Sequence, residues 1–107
     1  MPPGILLAIA IATEVAATVS LRYSDGFTKP LPSALTVLGY VLSFYLLALV
    51  LRDISVSTTY AIWAGAGTAA VAVIGMAVLG EPATVIKLAS IGLIIAGVVG
   101  LNISGAH

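Results

Sequence analysis

Residues 4–21 read GILLAIAIATEVAATVSL, an apolar run whose one charged side chain, Glu14, falls near its middle. About 20 apolar residues in a helix cross the roughly 30 Å hydrocarbon core of a bilayer. Transmembrane strands instead take about 9–11 residues of alternating polarity, so this run predicts a membrane-spanning helix. Three similar runs follow, at 33–51, 55–79 and 84–104. Polar or turn-rich links separate them: residues 22–30, which include Arg22, Asp25, Gly26, Lys29 and Pro30; then Arg52-Asp53; then Gly80-Glu81-Pro82. Such short links make neighbouring helices antiparallel. The expected fold class is an all-α integral membrane protein: one four-helix transmembrane domain over residues 1–107.

The composition excludes a soluble alternative. Of the 107 residues, 61% are hydrophobic and 7% charged, whereas a soluble domain carries roughly 25% charged residues. The net charge is zero and the bases are scattered, so nothing in the chain marks it for nucleic acid. Cysteine is absent, which excludes disulfides, thiolate metal sites and thiol nucleophiles. The single histidine, His107, is the last residue and reads as tail rather than ligand. No metal or cofactor is expected. Nothing before Arg22 is basic and Glu14 interrupts the first run, so it reads as a retained span rather than a secretory signal.

Orientation follows the lysine and arginine imbalance between short loops. Arg22, Lys29 and Lys87 fall on one side, Arg52 and the terminal amine on the other. So small a bias allows insertion in both orientations.

Acids within membrane spans usually face a bundle interior and mark an ion or proton path. Around Glu14 on the helix lie Ala10, Ala17 and Thr18 at i−4, i+3 and i+4. All are small, which predicts an open face that admits water or a ligand. Hydrocarbon favours a neutral carboxyl, and a nearby cation favours the ionised one. Proton and cation then compete for one group. The alternative is a permanently protonated acid that hydrogen-bonds another helix.

Tyr40, Tyr60 and Trp63 sit inside spans rather than at the interface. Tyr60 and Trp63, three apart, share a helix face with Gly67. Aromatic faces attract organic cations in desolvated sites, although such pairs also serve as packing. Phe44 and Tyr45 have no comparable context and read as packing or lipid-facing residues. Gly65-Ala66-Gly67 with Ala70 matches G-x-G-x-x-A, but that fingerprint needs a preceding strand. Here the glycines read as a point where the helix bends easily, or as close packing. In the fourth span Gly92, Ala96, Gly100 and Ser104 form a small-residue stripe that permits close helix contact in lipid. The sequon Asn102-Ile103-Ser104 at the span end is set aside.

Thr13-Glu14-Val15-Ala16-Ala17-Thr18, Ser24-Asp25-Gly26-Phe27-Thr28, Tyr60-Ala61-Ile62-Trp63 and Gly65-Ala66-Gly67 together resemble the small multidrug resistance family of bacterial transporters, over nearly the whole chain. The resemblance implies an antiparallel, dual-topology homodimer in the bacterial inner membrane that exports organic cations in exchange for protons. It puts the family's essential glutamate at Glu14 and its aromatic site at Tyr40, Tyr60 and Trp63. Its second-span serine, which helps arrange the glutamate site, falls on Ser43, and its helix-kink glycines on Gly65 and Gly67. Ala10 and Thr18 complete the expected substrate site. The fourth helix becomes the dimerisation helix, with Gly92, Ala96, Gly97 and Gly100. The chain departs from family habit at Arg22, Asp25, Leu31 and Ser90.

One branch of the family exports guanidinium, and another exports lipophilic and quaternary ammonium cations. Ala17, where the guanidinium branch usually has tryptophan, and the presence of Tyr40 favour the second branch. Gly80-Glu81-Pro82 resembles the first. Rival classes are a proteolipid ring subunit, which would form a large ring in mild detergent, and a passive cation channel, whose flux would ignore a pH gradient. A further rival is a subunit that needs a paralogous partner. No acid–base pair or metal cluster in any span supports an enzyme.

Overall fold

A computed structural model describes residues 2–103. His107 and Ser104, which ends both the fourth-span stripe and the sequon, lie outside the described residues. Four α-helices account for most of the chain: α1 Pro3–Tyr23, α2 Pro30–Val50, α3 Val56–Ala77 and α4 Val85–Ile103. Each is long and apolar enough to cross a membrane, and no strand occurs among the described residues. The chain divides into two compact units at Ile54 and Ser55. In the first, α1 packs on α2; in the second, α3 packs on α4.

Local chemistry explains the ends. Proline occupies the first turn of both α1 and α2, where its missing N–H would be unpaired anyway. Arg22 lies in the last turn of α1, favourable to the negative end of the helix dipole. Ser55 caps α3 by accepting the Thr58 N–H at 3.4 Å, and Thr84 Oγ1 accepts the Lys87 N–H at 3.1 Å ahead of α4.

The α1–α2 link is a compact left-handed turn. Asp25, Gly26 and Phe27 have φ of 51°, 68° and 66°, a conformation costing non-glycine residues about 1–2 kcal/mol each. The fully buried Ser24 offsets that cost. Its hydroxyl donates to the Leu21 carbonyl (2.7 Å) and accepts the Phe27 N–H (3.1 Å). Its own carbonyl accepts the N–H groups of Thr28 and Lys29. The α3–α4 link turns at Gly80, with φ of 73°. There the Glu81 carboxyl folds over Gly75 and lies 3.5 Å from the Lys87 Nζ.

Close helix approach depends on glycine at two points. In the first unit, a Cβ on Gly39 would come 2.7 Å from the Ala17 Cβ and 3.3 Å from its Cα. In the second, a Cβ on Gly65 would come 2.7 Å from the Val98 Cγ2. The helix α3 runs without a break through Gly65 and Gly67.

Candidate functional site

Hydroxyls inside an apolar helix usually bond back to the carbonyl one turn earlier, which satisfies them without a neighbour. Thr13 bonds Ile9, Thr36 bonds Pro32 and Ser90 bonds Ile86 in this way. Thr18 does not. Its Oγ1 donates to the Glu14 Oε1 at 3.0 Å and lies 2.7 Å from the Tyr40 hydroxyl of α2. A hydroxyl has one proton to give. With that proton on the carboxylate, the Tyr40 O–H donates to Thr18, and the chain runs Tyr40 to Thr18 to Glu14.

The Ala17–Gly39 contact sets this register, because each partner immediately precedes Thr18 or Tyr40 in sequence. The expected open face beside Glu14 is therefore differently built. Ala10 and Ala17 are each 1% exposed; their small size serves close packing. Glu14, Thr18 and Tyr40 themselves are half-buried. Among the described residues Glu14 forms no ion pair. Ser43 is buried, and its hydroxyl donates to the Tyr40 carbonyl at 3.0 Å rather than to the carboxylate. Phe44 stacks on Tyr40, ring centroids 6.2 Å apart and planes 16° from parallel. Sequence reasoning left Phe44 aside, although its spacing of four from Tyr40 carried the signal.

In the second unit Tyr60 and Trp63 meet edge to face, centroids 5.9 Å apart at 68°. Tyr60 is 63% exposed and Trp63 half-buried. Beside them, Thr59 is fully buried and its hydroxyl has no hydrogen-bond partner among the described residues. On α4 only Ile91 is buried. Gly92, Ala96, Gly97 and Gly100 are exposed, and a Cβ on any of these three glycines would meet nothing within 4 Å. No group of three His, Cys, Asp or Glu able to hold a metal exists among the described residues.

Four apolar helices, the first bearing at its middle an acid that is hydrogen-bonded by Thr18 and has no ion-pair partner among the described residues, make a multi-pass membrane protein. The sequence profile of the Small Multidrug Resistance protein family matches residues 4–94. The chain belongs to that family and is a multi-pass protein of the bacterial inner membrane. A multidrug transporter of Pseudomonas aeruginosa is 53% identical over 92 residues, covering 86% of this chain and 84% of its own length. Multidrug resistance protein mmr of Mycolicibacterium paratuberculosis is 44% identical over 104 residues, 96% of this chain and 97% of its own. A guanidinium exporter of Salmonella typhimurium is 43% identical over 103 residues, with the same two coverages of 96% and 97%.

Proposed function

We propose that this chain is a proton-coupled antiporter that exports lipophilic or quaternary ammonium cations, with proton and cation competing for Glu14. The observation that carries the reading is Glu14 itself: an acid mid-way along an apolar helix, hydrogen-bonded by the neutral Thr18 hydroxyl and without an ion-pair partner among the described residues. Hydrocarbon penalises a bare carboxylate. The group is then occupied by a proton or by a cation, and exchanging one for the other couples their movements. No cofactor is needed, since the proton gradient drives export.

The four helices work as one transmembrane domain in an antiparallel dimer with a second copy of the chain. The uncovered glycines Gly92, Gly97 and Gly100 of α4, with Ala96, suit such a contact. Two Glu14 carboxyls, one from each copy, then face a shared site. Tyr40, Tyr60 and Trp63 supply aromatic faces for the cation and Thr18 a hydroxyl, while the buried Ala10 and Ser43 take part through packing and through the Ser43 bond to the Tyr40 carbonyl. Bending near Gly65 and Gly67 converts inward- and outward-open forms.

The likeness to a guanidinium exporter favours a second reading, the same mechanism with a small guanidinium-type cation. Reconstituted in liposomes, the wild type accumulates tetraphenylphosphonium against its gradient when the lumen is acidic, and Glu14→Gln does not. Flux indifferent to the pH gradient would instead make the protein a channel.

A further inference from the structure

The chain from Glu14 through Thr18 to Tyr40 lies wholly within the α1–α2 unit and crosses from one helix to the other through one hydroxyl. We infer that Thr18 is a positioning residue that reports the protonation state of Glu14 to the Tyr40 phenol, reversing the phenol's hydrogen bond when the acid takes up a proton. The inference rests on the antiport reading and assigns to Thr18 a part in its coupling.

Proton placement gives the argument. When Glu14 is ionised it can only accept, so Thr18 donates to it and Tyr40 donates to Thr18. The phenol hydrogen is held between the helices, and both lone pairs of its oxygen are free for a cation. When a proton binds Glu14, the carboxyl becomes a donor to Thr18 Oγ1. The Thr18 hydrogen then rotates toward the Tyr40 oxygen, which now accepts, and the phenol hydrogen is released from the pair. No covalent bond changes except the O–H formed on Glu14. A cation thus meets two free lone pairs at Tyr40 while Glu14 is charged, and a freed O–H beside a single lone pair once Glu14 is neutral. Both changes disfavour the cation together.

The surroundings leave Glu14 as the group that throws this switch. Along α2 no acid or base occurs, and its other phenol, Tyr45, is 63% exposed. On α1 the remaining titratable groups are Arg22 and Tyr23, about 12 Å or more from Glu14 at 1.5 Å per residue. The Ser43 bond to the Tyr40 carbonyl and the Phe44 ring stacked on Tyr40 hold the phenol on the chain.

The test is a pH titration of protein in lipid bilayers carrying 13Cζ-tyrosine, with the Tyr40 resonance assigned by Tyr40→Phe. The range is kept below phenol ionisation, and the Glu14 carboxyl is followed in parallel. The Tyr40 resonance is expected to move with Glu14 in the wild type and in Thr18→Ser, and to stay fixed in Thr18→Val and in Glu14→Gln. A wild-type unfolding midpoint certifies the fold of each variant, and Thr18→Ala serves where Thr18→Val fails that check. A Tyr40 response that persists without the Thr18 hydroxyl, or is missing in the wild type while Glu14 titrates, overturns the inference. Cation-evoked proton release from the same samples separates the two readings. Release with an unresponsive Tyr40 removes the relay alone. A responsive Tyr40 without release removes the antiport reading and leaves the relay standing.

Discussion

Gly39 of α2 lies so close to Ala17 of α1 that a Cβ built on it would come 2.7 Å from the Ala17 Cβ. Neither side is a flexible side-chain end that can swing away. The contact places Tyr40, the next residue on α2, beside Thr18, the next on α1. Gly39→Ala should therefore push the helices apart and cost about 1–3 kcal/mol, the usual range for overpacking a tight contact. Unfolding of the detergent-solubilised protein measures the loss. The same variant should weaken cation binding, because the Tyr40–Thr18 hydrogen bond lengthens with the separation.

A parallel case lies between α3 and α4. A methyl on Gly65 would meet the Val98 Cγ2 at 2.7 Å and the Ile94 Cγ2 at 3.4 Å. Valine is stiff about χ1 in a helix, so Val98 yields poorly. Gly65→Ala should destabilise by about 1–3 kcal/mol, and adding Val98→Ala should recover most of it. Non-additivity of that kind marks a direct contact. Additive losses in the same unfolding assay would instead point to backbone bending at Gly65.

The left-handed turn of residues 25–27 gives a prediction that involves backbone alone. Gly26 has φ of 68°, and a Cβ there would meet nothing within 4 Å. Gly26→Ala should cost about 1 kcal/mol from the conformation itself. Gly26→Asn should cost less, since asparagine tolerates this region. Thermal unfolding of the two variants in one detergent ranks them, and equal losses would contradict the backbone explanation.

The helices were legible because bilayer thickness imposes a length of apolar chain that few other constraints imitate. Glu14 was legible for the same reason, as the exception within such a run. The partners of Glu14 were less so. Thr18 is visible at i+4, but its meeting with Tyr40 depends on how α1 and α2 are registered, which the Ala17–Gly39 contact decides. Small residues around an acid suggest space in a sequence, yet Ala10 and Ala17 are buried, because small side chains also let helices close up. Asp25 and Phe27 gave no sign of a left-handed backbone. Their conformation is held by the buried Ser24 network, which involves main-chain groups no residue pattern announces.

The central claim is that proton and cation compete for Glu14, and proton release tests it most directly. Weakly buffered, detergent-solubilised protein is mixed with tetraphenylphosphonium or guanidinium, and the pH is followed, with Glu14→Gln beside it. Release on adding tetraphenylphosphonium, absent in Glu14→Gln, is the result predicted here; release with guanidinium alone would keep the mechanism and move the substrate to the smaller cation. Folded protein that binds either cation without releasing a proton would contradict the account.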